Sequence, residues 1–174
     1  LDRAELLRYS ACKFVDDGRH IILKGATGSG KTYIACALGI CACRRFKHVR
    51  YIRLPELLDE LSLAKAAGEF KKAIKQYKKA DLLILDEWLL RSLSMDEAYD
   101  LLEVVEARIE RSTIFCTQYE PDGWYLWIGS DENQASPITD SIMDRIRNNA
   151  YTVALFDESM RKRYGVAAEA GGQP

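Results

Sequence analysis

Eight residues in the first fifth of the chain have the types and spacing of a phosphate-binding loop. Residues 25–32 read Gly-Ala-Thr-Gly-Ser-Gly-Lys-Thr, a full match to G-x-x-x-x-G-K-[ST], after the apolar run 21–23. Glycines let backbone N–H groups turn toward phosphate oxygens, and the helix that follows such a loop adds the positive end of its dipole. The motif therefore predicts a nucleoside triphosphate site in which Lys31 neutralises the β- and γ-phosphates and Thr32 ligates Mg²⁺. The predicted nucleotide contacts are Gly25, Ala26, Thr27, Gly28, Ser29, Gly30, Lys31, Thr32 and Tyr33.

A second set of candidate catalytic residues follows an apolar run in the middle of the chain. The sequence Leu-Leu-Ile-Leu at 82–85 is typical of a buried strand and leads directly into Asp86 and Glu87. Open α/β sheets bind ligands at the carboxyl ends of their strands, so both carboxylates are predicted to lie near the loop. Asp86 suits the outer coordination shell of Mg²⁺ opposite Thr32, and Glu87 suits the activation of an attacking water. Helix capping is the simpler alternative for the acids, but together with the loop they predict ATP hydrolysis.

Further polar positions occur in an order that suits the same site. Thr117 and Gln118 end a predicted strand, where a hydroxyl or an amide could hold the water or the γ-phosphate. Arg145 lies in the helical pattern Ile-Met-Asp-Arg-Ile, and Arg161 follows the last predicted strand. A surface or salt-bridged arginine is the more common situation, so it is the order along the chain that favours a catalytic role. The candidate catalytic residues are Lys31, Glu87, Gln118, Arg145 and Arg161.

Five short apolar runs alternate with helical patterns along the chain. Strands that are covered by helices on both faces have such runs, so the alternation predicts an α/β fold with a parallel sheet. One helical pattern covers 95–111, with Ala98, Leu102, Val105 and Ile109 at helical spacing. The predicted strands are 21–23, 49–52, 82–85, 113–117 and 151–155, and the other predicted helices are 33–43 and 54–63.

The composition fits one globular domain without a membrane span. The 174 residues are 48% hydrophobic and 29% charged, and no apolar segment is long enough for a transmembrane helix. The net charge of -1 leaves any nucleic-acid affinity to local basic patches. The five cysteines show no C-x-x-C spacing, which favours a reduced, cytoplasmic setting over metal binding. We expect the domain to cover 1–165, with a flexible tail at 166–174 and an upstream region missing from this chain.

Taken together, these motifs resemble the AAA+ ATPases of the IstB/DnaC group over nearly the whole chain. The strings around Cys116, Arg145 and Arg161 are more similar to the transposition helper ATPases of that group than to its replicative helicase loaders. The sequence departs from the group at Tyr33, where histidine is frequent, and at Arg91 after the acidic strand. The resemblance rests on residues 25–32, 83–87, 117–118, 142–146 and 158–162.

The resemblance implies a three-layer P-loop fold with the strand order 5-1-4-3-2, and it implies roles for the candidate residues. Thr117 or Gln118 would be the polar sensor on the fourth strand. Arg145 would be an arginine finger that reaches a neighbouring subunit's nucleotide, and Arg161 would be the second sensor arginine. The resemblance further implies ATP and Mg²⁺ as cofactors, self-assembly with shared nucleotide sites, and a transposase or a replicative helicase as partner.

A lysine-rich segment between the second and third predicted strands is a candidate DNA contact. It holds a single acid, Glu69, and such a stretch can track nucleic-acid phosphates, although a solvated helix face is an equal alternative. A second basic group lies partly on a predicted edge strand, where charge also discourages aggregation. Three aromatic residues could stack bases, but packing against the sheet is favoured because the tryptophans lie beside the proposed sensor and not among the lysines. The lysines are Lys65, Lys71, Lys72, Lys75, Lys78 and Lys79, the second group is Arg44, Arg45, Lys47, Arg50 and Arg53, and the aromatic residues are Trp124, Tyr125 and Trp127.

The interpretation that unites these signals is an ATP-driven assembly factor on DNA, of the transposition-helper type. A replicative helicase loader is the alternative within the same class. A P-loop small-molecule kinase belongs to a different class, and such enzymes seldom need an acid such as Glu87 directly after Asp86. A nucleotide-switched scaffold with negligible turnover is a third alternative, against which an intact Glu87 argues.

Overall fold

The computed structural model describes residues 3–128 and 136–155, which form a parallel sheet between two layers of helices. The strands are hydrogen-bonded in the order β2-β3-β4-β1-β5, and every neighbouring pair is parallel. The predicted order 5-1-4-3-2 and the predicted three-layer α/β fold are thereby confirmed. The strands are β1 (His20–Gly25), β2 (Val49–Arg53), β3 (Leu82–Trp88), β4 (Ser112–Thr117) and β5 (Ala150–Leu155).

Helices cover both faces of the sheet because the central strands β1, β3 and β4 bury side chains on both sides. Ile21 and Leu23 of β1 pack with the helices of one face, whereas Ile22 packs with those of the other, since successive side chains of a strand point to opposite faces. None of the described helices is long and apolar enough to cross a lipid bilayer. The first face carries α1 (Arg3–Ser10), α2 (Lys13–Asp16) and α3 (Lys31–Cys43), and the second carries α4 (Leu54–Ala66), α5 (Phe70–Lys79), α6 (Met95–Ala107), a 3-10 helix (Pro121–Leu126) and α7 (Pro137–Arg147).

The helix predicted over 95–111 is shorter than its apolar spacing indicated. It ends at Ala107, and the next residue, Arg108, turns its guanidinium into the interior, where it donates to the backbone oxygens of Ala80 and Ser112. Ile109 belongs to the predicted apolar stripe but is exposed, because the helix has ended before it. The residues that α6 buries are Ala98, Asp100, Leu101, Val104 and Val105.

A buried histidine begins β1 at the amino edge of the sheet. The Nδ1 atom of His20 accepts the backbone N–H of Thr113 at 3.2 Å, and the ring meets Phe115 edge-on at 5.8 Å between centroids. Burial, reinforced by the positive charge of Arg108, lowers the pKa of His20 to about 4. The folded protein therefore holds this imidazole neutral well into the acid range.

The free energy of unfolding is expected to fall by about 3 kcal/mol between pH 6.5 and pH 4 because of His20. The unfolded chain takes up a proton on this imidazole below about pH 6.5, whereas the folded chain does so only near pH 4, so acid favours the unfolded form. Urea titrations across this range measure the effect. The variant His20→Asn keeps an acceptor for the Thr113 N–H and should lose this part of the pH dependence, whereas His48→Asn, at an exposed position, should keep it. An unchanged pH dependence in His20→Asn would contradict the prediction.

Candidate active site

The loop between β1 and α3 has the backbone of a phosphate-binding site. Gly28 and Gly30 have φ angles of 83° and 90°, which residues with a side chain rarely adopt, so the shape of the loop requires glycine at both positions. Gly25 has no room for a side chain, because a Cβ there would lie 2.9 Å from the backbone oxygen of Leu155. No side chain caps the start of α3, whose first N–H groups point toward the loop.

The ammonium group of Lys31 lies inside this loop. Its Nζ donates to the backbone oxygen of Gly25 at 2.7 Å and to that of Ala26 at 2.8 Å. The hydroxyl of Ser29 is buried and has no hydrogen-bond partner within the described residues. A cation, a helix N-terminus and an unsatisfied hydroxyl in one glycine-rich loop fit the phosphates of a nucleotide.

The outer part of the predicted nucleotide site is open to solvent. Ala26 and Thr27 are exposed at the tip of the loop, and Tyr33 is 73% exposed in the first turn of α3. The tip of the loop therefore presents Ala26 and Thr27 to solvent, whereas Ser29 is buried within the loop. Nucleotide contacts at Ala26, Thr27 and Tyr33 remain predictions.

The structure brings the hydroxyl of Thr32 to the carboxylate of Asp86, as the two sequence motifs predicted. Thr32 Oγ1 donates to Asp86 Oδ2 at 2.7 Å, although the two residues are 54 positions apart. Asp86 is buried, and its Oδ1 accepts the backbone N–H of Glu87 at 2.8 Å. A hydroxyl and a carboxylate are the kinds of oxygen ligand that Mg²⁺ takes in proteins, so this pair fits the metal of a nucleotide complex.

Glu87 stands at an irregular point of β3, next to the buried Asp86. Its φ angle is 55°, and the pairing of β3 with β4 shifts register between Leu85 and Trp88. A register shift of this kind re-aims side chains, and a non-glycine residue in the left-handed region carries local strain. The side chain of Glu87 is 37% exposed, and its Oε1 lies 3.7 Å from Arg53 Nη1. Glu87 is therefore the more accessible of the two acids.

Two residues of the edge strand contact these acids, and the sequence motifs did not indicate either contact. Tyr51 donates its hydroxyl to Asp86 Oδ2 at 2.9 Å, and Arg53 pairs with Glu87. Residues two apart in a strand share a face, and β2 pairs with β3 in the register Arg53 to Asp86. Strand spacing alone could have suggested that 51 and 53 share a face, but their position beside the acids depends on the order of strands in the sheet.

The end of β4 lies between the strand of the loop and the strand of the acids. Thr117 pairs with Lys24 on one side and with Trp88 on the other. The Thr117 side chain is fully buried and accepts the backbone N–H of Tyr119 at 3.2 Å, whereas Gln118 is exposed at the same edge. Burial and the negative charge of Asp86 raise the pKa of the neighbouring Cys116 thiol, which stays protonated beside the acids.

Arg145 lies far from the loop of its own chain. It is in the last turn of α7, which leads into β5 at the amino edge of the sheet, where Ala150 pairs with His20. Its Nη2 donates to Glu106 Oε1 at 2.7 Å, and its Nη1 donates to the backbone oxygen of Ser141 at 2.9 Å. Any contact with a nucleotide would therefore have to be made with another subunit. The predicted second sensor, Arg161, lies outside the described residues, as does the predicted domain end at 165.

The lysine-rich segment forms the amphipathic helix α5. Ile74 and Tyr77 face the core, whereas the lysines of this helix are all exposed on the other side. Lys72 pairs with Glu69 at 3.1 Å, and Lys65 at the end of α4 pairs with Asp100. The exposed lysines, called here the α5 lysine face, are Lys71, Lys72, Lys75, Lys78 and Lys79.

The second basic group is divided by the structure. Lys47, Arg50 and Arg53 form ion pairs with nearby acids, whereas Arg44 and Arg45 are exposed and have no ion pair within the described residues. Among the aromatic residues, Trp124 is fully buried against Trp88, with 5.3 Å between ring centroids. The predicted packing against the sheet is therefore confirmed for Trp124.

Comparison with known proteins connects this geometry to a family. A relative of 36% identity, described as an insertion sequence ATP-binding protein of Sinorhizobium fredii, matches over 93% of this chain and 64% of its own length. The ATP-binding protein of insertion sequence IS1162 of Pseudomonas fluorescens is 40% identical over 68% of this chain and 52% of its own length. The chain thus spans between half and two thirds of the length of these relatives.

A solved structure confirms the architecture, and a family model gives the identity. The crystal structure of DnaI superimposes with a TM-score of 0.74 over 91% of this chain and 84% of that one, at 23% sequence identity, a likeness that concerns the fold alone. The model of the IstB-like ATP binding proteins matches residues 1–168. With a phosphate-binding loop and an acidic strand meeting at one edge of its parallel sheet, the chain belongs to the family of IstB-like ATP binding proteins.

Proposed function

We propose that the chain binds ATP with Mg²⁺ and hydrolyses it, as the ATPase domain of a DNA transposition helper. The observation that carries the proposal is the contact of Thr32 with Asp86 beside the loop that holds Lys31. A hydroxyl, a carboxylate and a cation are the groups that a metal-bound triphosphate requires, so their proximity supports the proposal. Membership of the family supports ATP binding, and the names of the relatives support the connection with insertion sequences.

Each residue around the loop has one task in this proposal. Lys31 would neutralise the β- and γ-phosphates, and Thr32 and Asp86 would hold Mg²⁺. Glu87 would orient the attacking water and accept its proton, for which its partial exposure beside Asp86 is suited. Hydrolysis then follows from positioning and charge, without a covalent intermediate on the protein.

Gln118 is the better candidate for the polar sensor. Its amide is exposed at the edge where β1 and β3 also end, whereas the hydroxyl of Thr117 is buried and already bonded to the Tyr119 N–H. An exposed amide can reach a γ-phosphate or a water, whereas the Thr117 hydroxyl keeps a proton to donate but is fully buried. Arg161 keeps the role of second sensor as a proposal from the sequence.

Two alternatives make different use of the same loop. A small-molecule kinase would transfer the phosphoryl group to a metabolite. The position of Glu87 suits the activation of a water molecule instead. A replicative helicase loader would share the fold, since the solved structure of the DnaC helicase loader is similar to this chain. The insertion-sequence relatives favour the transposition helper, with a transposase as the partner and self-assembly bringing nucleotide sites together.

The α5 lysine face is the proposed DNA contact. Five exposed ammonium groups lie on the outer side of one helix, and one of them, that of Lys72, is paired with an acid. Arg44 and Arg45 offer a smaller basic surface at the turn between α3 and β2. The larger and more regular array on α5 suits the evenly spaced phosphates of a duplex.

Phosphate release from ATP is expected with the protein alone or with duplex DNA, without any added metabolite.

Replacing Lys71, Lys72 and Lys75 by Gln should weaken DNA binding for unrelated sequences alike, because phosphate contacts carry no sequence information. The slope of log K against log salt should become less steep by about 2 to 3, since each lost phosphate contact removes about 0.9. Fluorescence anisotropy of labelled duplexes at several salt concentrations measures both effects.

The matched control replaces Arg44 and Arg45 by Gln. If the α5 lysine face carries the contact, this double variant keeps most of the salt slope. If the triple lysine variant keeps the wild-type DNA affinity and salt slope, α5 is a solvated helix face and not a DNA contact. Formation of ADP only after a small-molecule acceptor is added, with the phosphoryl group on the acceptor and no phosphate released, would instead favour the kinase.

A further inference from the structure

The carboxylate of Asp86 is held from two different elements through the same oxygen. Oδ2 accepts the hydroxyl of Thr32 from α3 at 2.7 Å and the hydroxyl of Tyr51 from β2 at 2.9 Å. Its other oxygen, Oδ1, accepts the Glu87 backbone N–H. Asp86 is buried, so these donors, and not water, fix the direction of its oxygens.

Tyr51 reaches Asp86 because of where β2 lies in the sheet. β2 is the edge strand next to β3, and Tyr51 pairs with Ile84, two residues before Asp86. A phenol is long enough to span that offset along the strand, and Tyr51 is 44% exposed. The Tyr51 hydroxyl is the donor of this contact, because a carboxylate oxygen can only accept.

The two hydroxyls differ in what they can do when a metal is held. The Thr32 oxygen has one proton and two lone pairs, so it can donate to Asp86 and ligate a cation together. Tyr51 lies on β2, outside the loop, and its hydroxyl donates a hydrogen bond to the carboxylate. Hydrogen bonds to a charged acceptor are the stronger ones and fix its orientation, and partners behind a metal-binding group set how well it holds the metal.

We propose that Tyr51 is a positioning residue, which acts through Asp86 to set the affinity of the nucleotide site for Mg²⁺. The inference rests on the proposed function, because it requires that Thr32 and Asp86 hold the metal of the bound nucleotide. It adds a residue of the edge strand to a site that otherwise consists of the loop and the acidic strand. Tyr51 touches neither the phosphates nor the attacking water.

The test is the Mg²⁺ dependence of nucleotide binding in the variant Tyr51→Phe. A fluorescent ATP analogue is titrated in EDTA and at increasing Mg²⁺, so that the measurement does not depend on turnover. The half-saturating Mg²⁺ concentration should rise about tenfold, while the affinity in EDTA stays at the wild-type value. Phe keeps the ring of a half-exposed residue, so the fold should be retained. Tyr99→Phe, at an exposed position on α6, is the matched control and should leave both values unchanged.

A second pair of variants separates action through Asp86 from a direct effect. Asp86→Asn should raise the Mg²⁺ requirement by itself, and adding Tyr51→Phe to it should change the requirement no further. A wild-type Mg²⁺ requirement in Tyr51→Phe, an equal loss of affinity in EDTA, or additive effects in the double variant would each overturn the inference. A wild-type chain that binds no nucleotide with or without Mg²⁺ would overturn the proposed function, and the inference with it.

Discussion

Lys31→Ala is expected to abolish ATP binding, whereas Glu87→Gln should bind ATP as the wild type does and stall its hydrolysis. The ammonium of Lys31 lies within the loop, bonded to the Gly25 and Ala26 oxygens, so its removal takes away the one side-chain cation placed there to meet the phosphates. Glu87 lies outside the loop on β3, and Gln keeps its size while losing its ability to accept a proton. We expect a fall in turnover of about 10² to 10⁴ for Glu87→Gln, the usual contribution of a general base.

The two defects are separated by titrating a fluorescent ATP analogue and by measuring phosphate release with each variant. Lys24→Ala serves as the control for Lys31, because Lys24 lies on β1 just before the loop but pairs with Glu120. Glu103→Gln, on the exposed side of α6, serves as the control for Glu87. Equal loss of nucleotide affinity in Lys31→Ala and Glu87→Gln would remove Glu87 from the water-activating role and make it part of the binding site.

The strands and the loop could be predicted because their signals are local. The runs 21–23 and 82–85 consist of apolar residues only, as expected for a strand that is covered by helices on both faces. Both runs are strands in the structure. The glycine positions predict the conformation of the loop, since Gly28 and Gly30 adopt φ angles that other residues avoid. The order of the strands was not local information and came from the resemblance.

Side-chain contacts between elements could not be predicted in the same way. The charge of Arg53 suggested a basic patch, yet Arg53 caps α4 with Glu56 and pairs with Glu87. Periodicity predicted that Arg108 lies inside a helix. In the structure α6 ends at Ala107, and the Arg108 guanidinium donates to the backbone oxygen of Ala80. Glu87 and Ala80 are partners that lie far from Arg53 and Arg108 in the sequence, and the order of the sheet decides that they meet.

Two different roles for Arg145 are compatible with the sequence and the structure. As a structural arginine it would join α7 to α6 through Glu106, a pair that is partly exposed and therefore of modest stabilising value. As a finger it would leave that pair and reach the nucleotide of a neighbouring subunit, since its place near the amino edge keeps it from the loop of its own chain. The two roles predict different results for Glu106→Gln, which removes the ion pair but keeps the guanidinium.

If Arg145 acts on a neighbouring site, Arg145→Ala should lower turnover by about 10³ while ATP binding is retained, because a guanidinium placed on the transferring phosphoryl group contributes at least that much. Glu106→Gln should then hydrolyse ATP nearly as well as the wild type. Arg147→Ala is the matched control, two residues further along, at a side chain that pairs with Asp122. Turnover per subunit of the wild type should also rise with protein concentration, since a shared site exists only after assembly.

Mixing two inactive variants gives the decisive result. Arg145→Ala subunits keep a complete loop, and Lys31→Ala subunits keep a complete finger, so a mixed assembly contains some sites that have both. Such mixtures should regain part of the hydrolysis that neither variant shows alone, in proportion to the fraction of mixed contacts. A mixture of Lys31→Ala with Glu87→Gln regains nothing by this route, because a site needs its lysine and its acid in the same chain. If the first mixture stays inactive where the wild type assembles, and Glu106→Gln loses as much stability and turnover as Arg145→Ala, then Arg145 is a structural residue of the α6 and α7 contact.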